Sequence, residues 1–315
     1  MKHSLRRKGD TARVVSSVTP RRNVRARSDR QADGQWMFRS YDDLHHDLVG
    51  WLPRLPRLVG VCGVPRSGVI VASQLATLLN VPLLSIESLA ASEVVSWRPS
   101  TSKPLPSPGG QRVLVVDDSC WSGGTIREVR RKLPESVRAR CIFGAVYCNI
   151  ESTSQLDCCG YTIDSIQHLF AWNYLRDMHA RTTLTDMDGV LCDDWNGDEN
   201  DENAAAYKNF LTHAVARVKP IYPVLGIVTG RVARHRAATQ SWLDREGIKA
   251  HELVMPFADN ESRRGRCVGT QKAIAYRDRH PTATLFVESD RQQAEMIFRQ
   301  CGLPVLCTDT LELFQ

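Results

Sequence analysis

Two sets of closely spaced carboxylates stand at the ends of runs that read as buried strands in this 315-residue chain, where open α/β sheets bind ligands. The first is Asp117-Asp118, which follows Val113-Leu114-Val115-Val116 and precedes Ser119-Cys120-Trp121-Ser122-Gly123-Gly124-Thr125. A continuous, mostly β-branched run bounded by turn residues is the pattern of a strand buried on both faces of a parallel sheet. The acids then fall at its carboxyl end, where open α/β sheets bind ligands. Ser122 to Thr125 lead into a helix predicted from Ile126. Turn N–H groups, two hydroxyls and a helix N-terminus together cradle an anion. Carboxylates beside such a cradle suit a sugar phosphate, with diol and metal on the acids and phosphate in the loop. The second set is Asp186 and Asp188, which close the run Thr182-Thr183-Leu184-Thr185 and are followed by Gly189-Val190-Leu191.

The elements that must position the first pair read from residue 37 as helix, strand, helix, strand, long loop, strand, helix, strand. Ser40-Tyr41-Asp42-Asp43 predicts a capped helix start, with Leu44, Leu48 and Leu52 on one face. Leu58-Val59-Gly60-Val61-Cys62 predicts a buried strand ending at Gly63-Val64-Pro65-Arg66-Ser67-Gly68. A helix through Ala72, Leu75 and Leu78 and a strand at 81–86 complete a parallel βαβ unit. In the Pro65-Arg66-Ser67-Gly68 turn, Gly63 and Gly68 let backbone approach a ligand and Arg66 adds a charge-assisted contact. Residues 87–110 hold four prolines and the stretch Trp97-Arg98-Pro99-Ser100-Thr101-Ser102-Lys103. A loop of that length inside a compact domain is usually functional or disordered.

Residues 113–125, with Ser122 where Thr is commoner, resemble the PRPP (phosphoribosyl pyrophosphate) signature of type I phosphoribosyltransferases. The resemblance implies that Asp117, Asp118, Ser119, Ser122, Gly123, Gly124 and Thr125 bind PRPP. Pro65, Arg66, Ser67 and Gly68 then look like the loop that holds its pyrophosphate, and residues 87–110 like the mobile loop that closes over it. Arg98 and Lys103 become candidates for pyrophosphate contact. The implied reaction is displacement of pyrophosphate at the anomeric carbon by a nitrogen nucleophile, assisted by Mg²⁺. No base-recognition element is evident; that role falls to a variable hood, expected at residues 37–55 and 150–180, and the acceptor is not readable.

The Asp186-Met187-Asp188-Gly189-Val190-Leu191 segment resembles motif one of haloacid dehalogenase (HAD)-type hydrolases. There, Asp186 would attack phosphorus and Asp188 would act as acid and then base. Thr229, after Val224-Leu225-Gly226-Ile227-Val228, is similar to the family's phosphoryl-binding hydroxyl, and Lys272 to its cationic stabiliser. Arg263 and Arg264 compete for that last role. Thr284-Leu285-Phe286-Val287-Glu288-Ser289-Asp290 closes on acids; with Asp186 and Asp188, Glu288 and Asp290 are the metal candidates, and the choice between the last two stays open. The short interval between the first two motifs, partly acidic and Asn-rich from Asp193 to Asn203, leaves room for a small cap at most. A larger phosphate ester, or a site capped by the first domain, fits such an interval.

The expected fold class is therefore α/β in two domains, residues 37–179 and 180–315, each a Rossmann-like parallel sheet flanked by helices. A basic, flexible tail is expected at residues 1–36. It holds ten of the 41 Lys and Arg and three of the 35 Asp and Glu, so the net charge of +6 belongs to the tail. No apolar run approaches the roughly 20 residues of a bilayer span, and the tail lacks the apolar core of a secretory signal. Ten scattered cysteines with no CxxC spacing read as reduced thiols in a cytoplasmic protein.

The pair of domains reads first as a bifunctional Mg²⁺-dependent enzyme of nucleotide or sugar metabolism, with PRPP and a nucleobase-like or other small acceptor as partners. Oligomeric state stays open, a homo-oligomer included. A second reading is an enzymatic effector of a bacterial anti-phage system, such as a retron, held by a nucleic-acid partner; the basic tail favours it. A third is a PRPP-sensing regulator without turnover. If the tail binds nucleic acid, deleting residues 1–34 or raising salt removes retention on DNA or RNA in a filter-binding assay; unchanged retention excludes the contact.

Overall fold

The apolar runs ending in acids become central strands of two separate sheets. The computed structural model describes residues 27–28, 36–91, 112–163, 167–195, 197, 204–255 and 268–315. Most of the basic tail, Arg98, Lys103, Arg263 and Arg264 lie outside the described residues. In chain order the first half comprises β1 (Arg27–Ser28), β2 (Met37–Arg39), α1 (Tyr41–Trp51), β3 (Gly60–Gly63), α2 (Gly68–Leu79) and β4 (Leu83–Leu84). It continues through α3 (Ile86–Ala90), β5 (Val113–Cys120), α4 (Gly124–Lys132), α5 (Glu135–Arg138), β6 (Cys141–Asn149), β7 (Cys158–Ile163) and β8 (His168–Phe170). The second half comprises β9 (Thr183–Thr185), α6 (Ala204–His213), β10 (Gly226–Val228), α7 (Arg236–Glu246) and β11 (Leu253–Val254). It closes with α8 (Val268–Arg279), β12 (Leu285–Glu288), α9 (Arg291–Cys301), β13 (Val305–Cys307) and β14 (Glu312–Phe314).

The first sheet is parallel throughout, in the order β1-β7-β6-β5-β3-β4. From β3 the chain winds through α2 outward to β4; from β5 it winds through α4 and α5 the other way, to β6. The reversal lies between β3 and β5, where open sheets leave a crevice beyond their carboxyl ends. β3 stops at Gly63, paired with Val116, whereas β5 runs four residues further beside β6. Asp117 and Asp118 thus lie inside β5, past the end of β3, and not at the carboxyl end of their own strand as the sequence pattern implied.

The second sheet runs β11-β10-β9-β12-β13-β14, parallel except for β14, which is antiparallel to β13. Here the reversal lies between β9 and β12. Thr185 pairs with Val287, so Asp186 and Glu288 are the next residues out on the two neighbouring strands. Both domains of the expected α/β pair are therefore parallel sheets flanked by helices, each with acids at its switch point.

A two-stranded parallel ribbon of β2 and β8 joins the halves. Side chains alternate across a strand, and here each face belongs to a different core. Met37 and Phe170 pack with Leu44, Leu48, Val61 and Val146 of the first core. Trp36, Phe38 and Leu169 pack with Leu191, Ile227, Trp242 and Leu285 of the second. Trp36 is 1% exposed; its indole donates to the Thr284 carbonyl at 3.2 Å, and its N–H donates to Gln315 Oε1 at 2.8 Å. The packed chain therefore begins before the expected boundary at residue 37, and Arg27–Ser28 add an edge strand to β7 within the expected tail.

Other local expectations shift for physical reasons. Residues 37–39 are a strand, because they pair with β8 before the helix starts. Ser40 and Asp43 form a reciprocal capping box at α1, whose buried face ends on Trp51 and not Leu52. Leu78 is exposed, since the inward face of α2 is Val71, Ala72 and Leu75. The nine described cysteines are free thiols. No described helix is long and apolar enough to cross a membrane. Truncating a fully buried Trp typically costs about 3–5 kcal/mol, so Trp36→Ala should lower urea stability by that order; an unchanged midpoint would mean that residue 36 belongs to a loose tail.

Candidate active sites

At the first site, close backbone approach comes from two glycines. A Cβ on Gly68 would stand 2.7 Å from the Val116 carbonyl and 3.0 Å from Asp117 Oδ1, and one on Gly63 would stand 2.6 Å from Val69 Cα. The start of α2 is thereby laid directly on the acid-bearing part of β5. Between these glycines, Pro65 and Arg66 are exposed, Ser67 is half-buried, and the Pro65–Arg66 peptide is cis. The turn and the acid pair, separated in sequence, are thus one locus.

Asp117 and Asp118 are both buried, at 8% and 3% exposure. Asp117 accepts from the Asp118 N–H at 2.9 Å, and Asp118 from the Ser119 N–H at 2.8 Å. The other oxygen of Asp118 accepts from the Trp172 indole N–H at 2.6 Å. Trp172 in turn stacks on Phe170 with centroids 4.9 Å apart and planes within 10°. Burial, with the neighbouring Asp118 charge, pushes Asp117 up to about 8, and the more distant Arg66 opposes this only weakly. Such a carboxyl is short of positive charge and of hydrogen-bond donors, the demand that a ribose diol or a divalent cation meets.

Downstream, Gly123 takes φ +71° as the residue before α4. A Cβ there would collide with Gln155 Oε1. Arg127 donates to the Ser122 carbonyl at 2.9 Å and to Gln155 Oε1, while Gln155 Nε2 donates to the Ser122 carbonyl at 3.3 Å. These clamps shape the turn. The first-turn N–H groups of α4, at Gly124 and Thr125, have no intrahelical acceptor by helix geometry and point out of the helix end. Trp121, 42% exposed, stacks on His168 with centroids 4.9 Å apart. Trp172, Gln155 and Arg127 carry no motif. The aromatic residues Phe170, Trp172 and Tyr174 within the expected hood are the one local signal that could have drawn attention to Trp172.

At the second site, Lys272 is 1% exposed and its ammonium donates to Asp186 Oδ2 at 2.7 Å, Glu288 Oε2 at 2.6 Å and Gln293 Oε1 at 3.0 Å. Burial alone would lower the Lys272 pKa; the charges of Asp186 and Glu288 overrule it and raise it. One ammonium cannot fully serve two buried carboxylates. Burial pushes Glu288 up to about 8, although Lys272 pulls it down. Asp186 Oδ1 accepts from the Met187 N–H at 2.7 Å.

Asp188 faces another cation. Arg231, fully buried, donates to its two oxygens from Nε at 3.1 and 3.0 Å and from Nη2 at 2.5 Å. Its Nη1 donates to Thr239 Oγ1 at 3.2 Å, and its main-chain N–H to Thr229 Oγ1 at 3.2 Å. Arg231 directly follows Thr229-Gly230, so its position after the strand was visible; its partner, 43 residues earlier in the chain, was not.

The four expected metal candidates do not converge. Asp290 is exposed and caps α9 by accepting from the Gln293 N–H at 2.8 Å. Glu288, rather than Asp290, is the acid that shares the Lys272 ammonium with Asp186. Among the described residues no group of three or more His, Cys, Asp or Glu is arranged to hold a metal. Asp186 and Glu288 nonetheless are hard oxygen donors on adjacent strand ends, with charge that one lysine leaves incompletely balanced, and this donor set suits Mg²⁺.

Residues 58–177 match the family model of the phosphoribosyl transferase domain. No curated protein matches the chain. Among solved structures, a purine phosphoribosyltransferase from Pyrococcus horikoshii Ot3 aligns over 43% of this chain and 92% of that chain, at 18% identity and a TM-score of 0.32. The xanthine-guanine-hypoxanthine phosphoribosyltransferase of Helicobacter pylori aligns over 44% and 94%, at 12% identity and a TM-score of 0.33. A structure of a Pnkp1/Rnl/Hen1 complex aligns over 87% of each chain, at 13% identity and a TM-score of 0.31. Likeness this loose identifies no substrate.

The raised pKa of Asp117 has a measurable sign. Across the range between the ordinary value, 3.8, and about 8, the folded chain holds a proton that the unfolded chain has released. Stability from this group therefore falls as pH rises through that range and levels off above it. Asp117→Asn should flatten the fall and gain on the wild type at pH 8.5 relative to pH 5.5 in urea melts; an equal difference at both pH values would show that Asp117 is ordinarily ionised.

Proposed function

We propose that the phosphoribosyltransferase domain of residues 58–177 transfers phosphoribose from PRPP to a nitrogenous acceptor, and that the second half of the chain is a HAD-type phosphomonoesterase. What carries the reading is the repetition of one arrangement: paired acids at a switch point, each beside its own phosphate-binding groups. In the first site Asp117 and Asp118 hold the ribose hydroxyls, and the turn at Ser122, Gly123, Gly124 and Thr125, with Ser119 beside it, holds the 5′-phosphate. The Pro65-Arg66-Ser67-Gly68 turn receives pyrophosphate, and Lys103 is assigned to the same group. The bond from the anomeric carbon to pyrophosphate breaks with its electron pair leaving on oxygen, while the acceptor nitrogen forms the new bond and loses its proton to solvent. Arg66 and the turn N–H groups stabilise the charge that collects on the leaving group.

In the second site Asp186 Oδ attacks phosphorus, and the ester P–O bond breaks. The departing alkoxide takes the proton of Asp188. Water then attacks the aspartyl phosphate and returns a proton to Asp188, releasing inorganic phosphate and free Asp186. Arg231 fixes the orientation of the Asp188 carboxyl through its Nε and Nη2 donors. Lys272 and Thr229 hold the transferring phosphoryl oxygens. Mg²⁺, held by Asp186 and Glu288 here and by the acid pair in the first site, would supply further charge neutralisation.

A transferase that makes a ribosyl monophosphate and a phosphatase that removes the phosphate are consecutive steps. Incubation with PRPP, Mg²⁺ and a metabolite extract should release pyrophosphate and new ribosides, followed by mass spectrometry. The double variant Asp117→Asn/Asp118→Asn should lose pyrophosphate release, and Asp186→Asn should lose hydrolysis of p-nitrophenyl phosphate, each by more than 100-fold while the other activity persists. PRPP binding without pyrophosphate release would instead make the first domain a sensor.

A further inference from the structure

A cavity of about 840 Å³ opens beside the second site, outside the groups assigned to catalysis. Its inner wall includes Gly189 and Ser289. Gly189 is the residue after Asp188, and the Ser289 hydroxyl donates to the Asp188 carbonyl at 3.3 Å. Arg217, on the wall, donates to the Gly189 carbonyl at 2.6 Å and pairs with Asp193 at 3.5 Å, pinning the loop that follows the acid pair. The cavity therefore borders the loop that carries the proposed proton donor, one peptide beyond Asp188.

Its lining is selective in chemistry. Trp195 and Phe210 form an aromatic wall, with centroids 5.4 Å apart. Phe210 also underlies the Arg231 guanidinium, at 5.6 Å, so this wall continues into the clamp on Asp188. Asn209 adds an amide, and among the described lining residues Asp193, Asp194 and Asp309 set three carboxylates against the Arg217 guanidinium and the His213 imidazole. Aromatic faces and acceptor-rich walls suit a planar base on a hydroxylated sugar. Excess carboxylate repels further phosphates, since like charges in a walled cleft reinforce one another. The volume falls in the ordinary range for small-ligand sites, about 300–1,000 Å³.

We infer that this cavity receives the nucleoside part of a nucleoside monophosphate, so that the second site dephosphorylates single nucleotides and rejects polyphosphates and polynucleotide ends. The inference rests on the phosphomonoesterase reading and names its substrate class. Such a substrate is also the chemical class that the first domain would produce.

Hydrolysis of four probes by the full chain with Mg²⁺ tests it: p-nitrophenyl phosphate, a set of nucleoside 5′-monophosphates, the matching triphosphates, and a 3′-phosphorylated oligonucleotide. The wild type should turn over at least one monophosphate with the highest kcat/KM of the set. Removing one stacking aromatic should cost about tenfold, so Trp195→Ala should raise KM for that monophosphate by this order while kcat/KM on p-nitrophenyl phosphate stays within about twofold. Asp194→Asn/Asp309→Asn should narrow the gap between mono- and triphosphate. Equal loss on both small esters, or faster hydrolysis of the oligonucleotide, would overturn the inference while leaving a phosphatase. No hydrolysis of p-nitrophenyl phosphate would overturn the phosphatase itself.

Discussion

Everything in this chain hangs on the alternation of side chains along three-residue strands. In β2 and β8 that alternation sends Met37 and Phe170 into one core, and Phe38 and Leu169 into the other. A ribbon with only one apolar face would leave two sheets tethered by a peptide. With two apolar faces the sheets share an internal wall, and shifting the ribbon register by one residue would expose both cores at once. Trp36 extends the wall to the chain's far end, since the Gln315 side chain both accepts its N–H and donates to its carbonyl, the latter at 2.9 Å. The first described packing residue and the last residue of the chain are thereby fixed to each other.

Both sites follow from one topological fact. Where winding reverses, the chain leaves the two central strands in opposite directions and opens a crevice beyond their carboxyl ends. Asp117 and Asp118 lie on β5 beyond Gly63, and Asp186 and Glu288 occupy the paired ends of β9 and β12. The two sites solve the cost of burying acids differently. The second supplies built-in cations, Lys272 shared by Asp186 and Glu288 and Arg231 for Asp188, and removing either cation would strand its acids. At the first, one acid is given an indole N–H, and the other drifts toward its neutral form.

The sequence made the central strands legible because burial on both faces leaves an unbroken apolar run, as at Val113–Val116 and Leu285–Val287. The acids and the Gly63 and Gly68 approach were legible for the same reason, each sitting at a fixed offset from such a run, whereas the lysine was reached through the family resemblance and its place near a helix start. What stayed hidden depends on partners far along the chain. Residues 37–39 are too short to announce a strand, and only pairing with His168–Phe170 makes them one. Nothing local says that Trp172 turns to Asp118 or that Gln155 seals Gly123. Glu288 and Asp290 are chemically alike in sequence; the start of α9, which claims Asp290 as its cap, separates them.

The hydrogen bond from Trp172 to Asp118 has a consequence for how the first site can be observed. An indole emits according to the charge beside its N–H, and this one touches a carboxylate at 2.6 Å within a stack of aromatic rings. Any ligand that claims that oxygen must reorganise the bond. The acid pair therefore carries its own optical probe, one that responds to occupancy even where no turnover takes place.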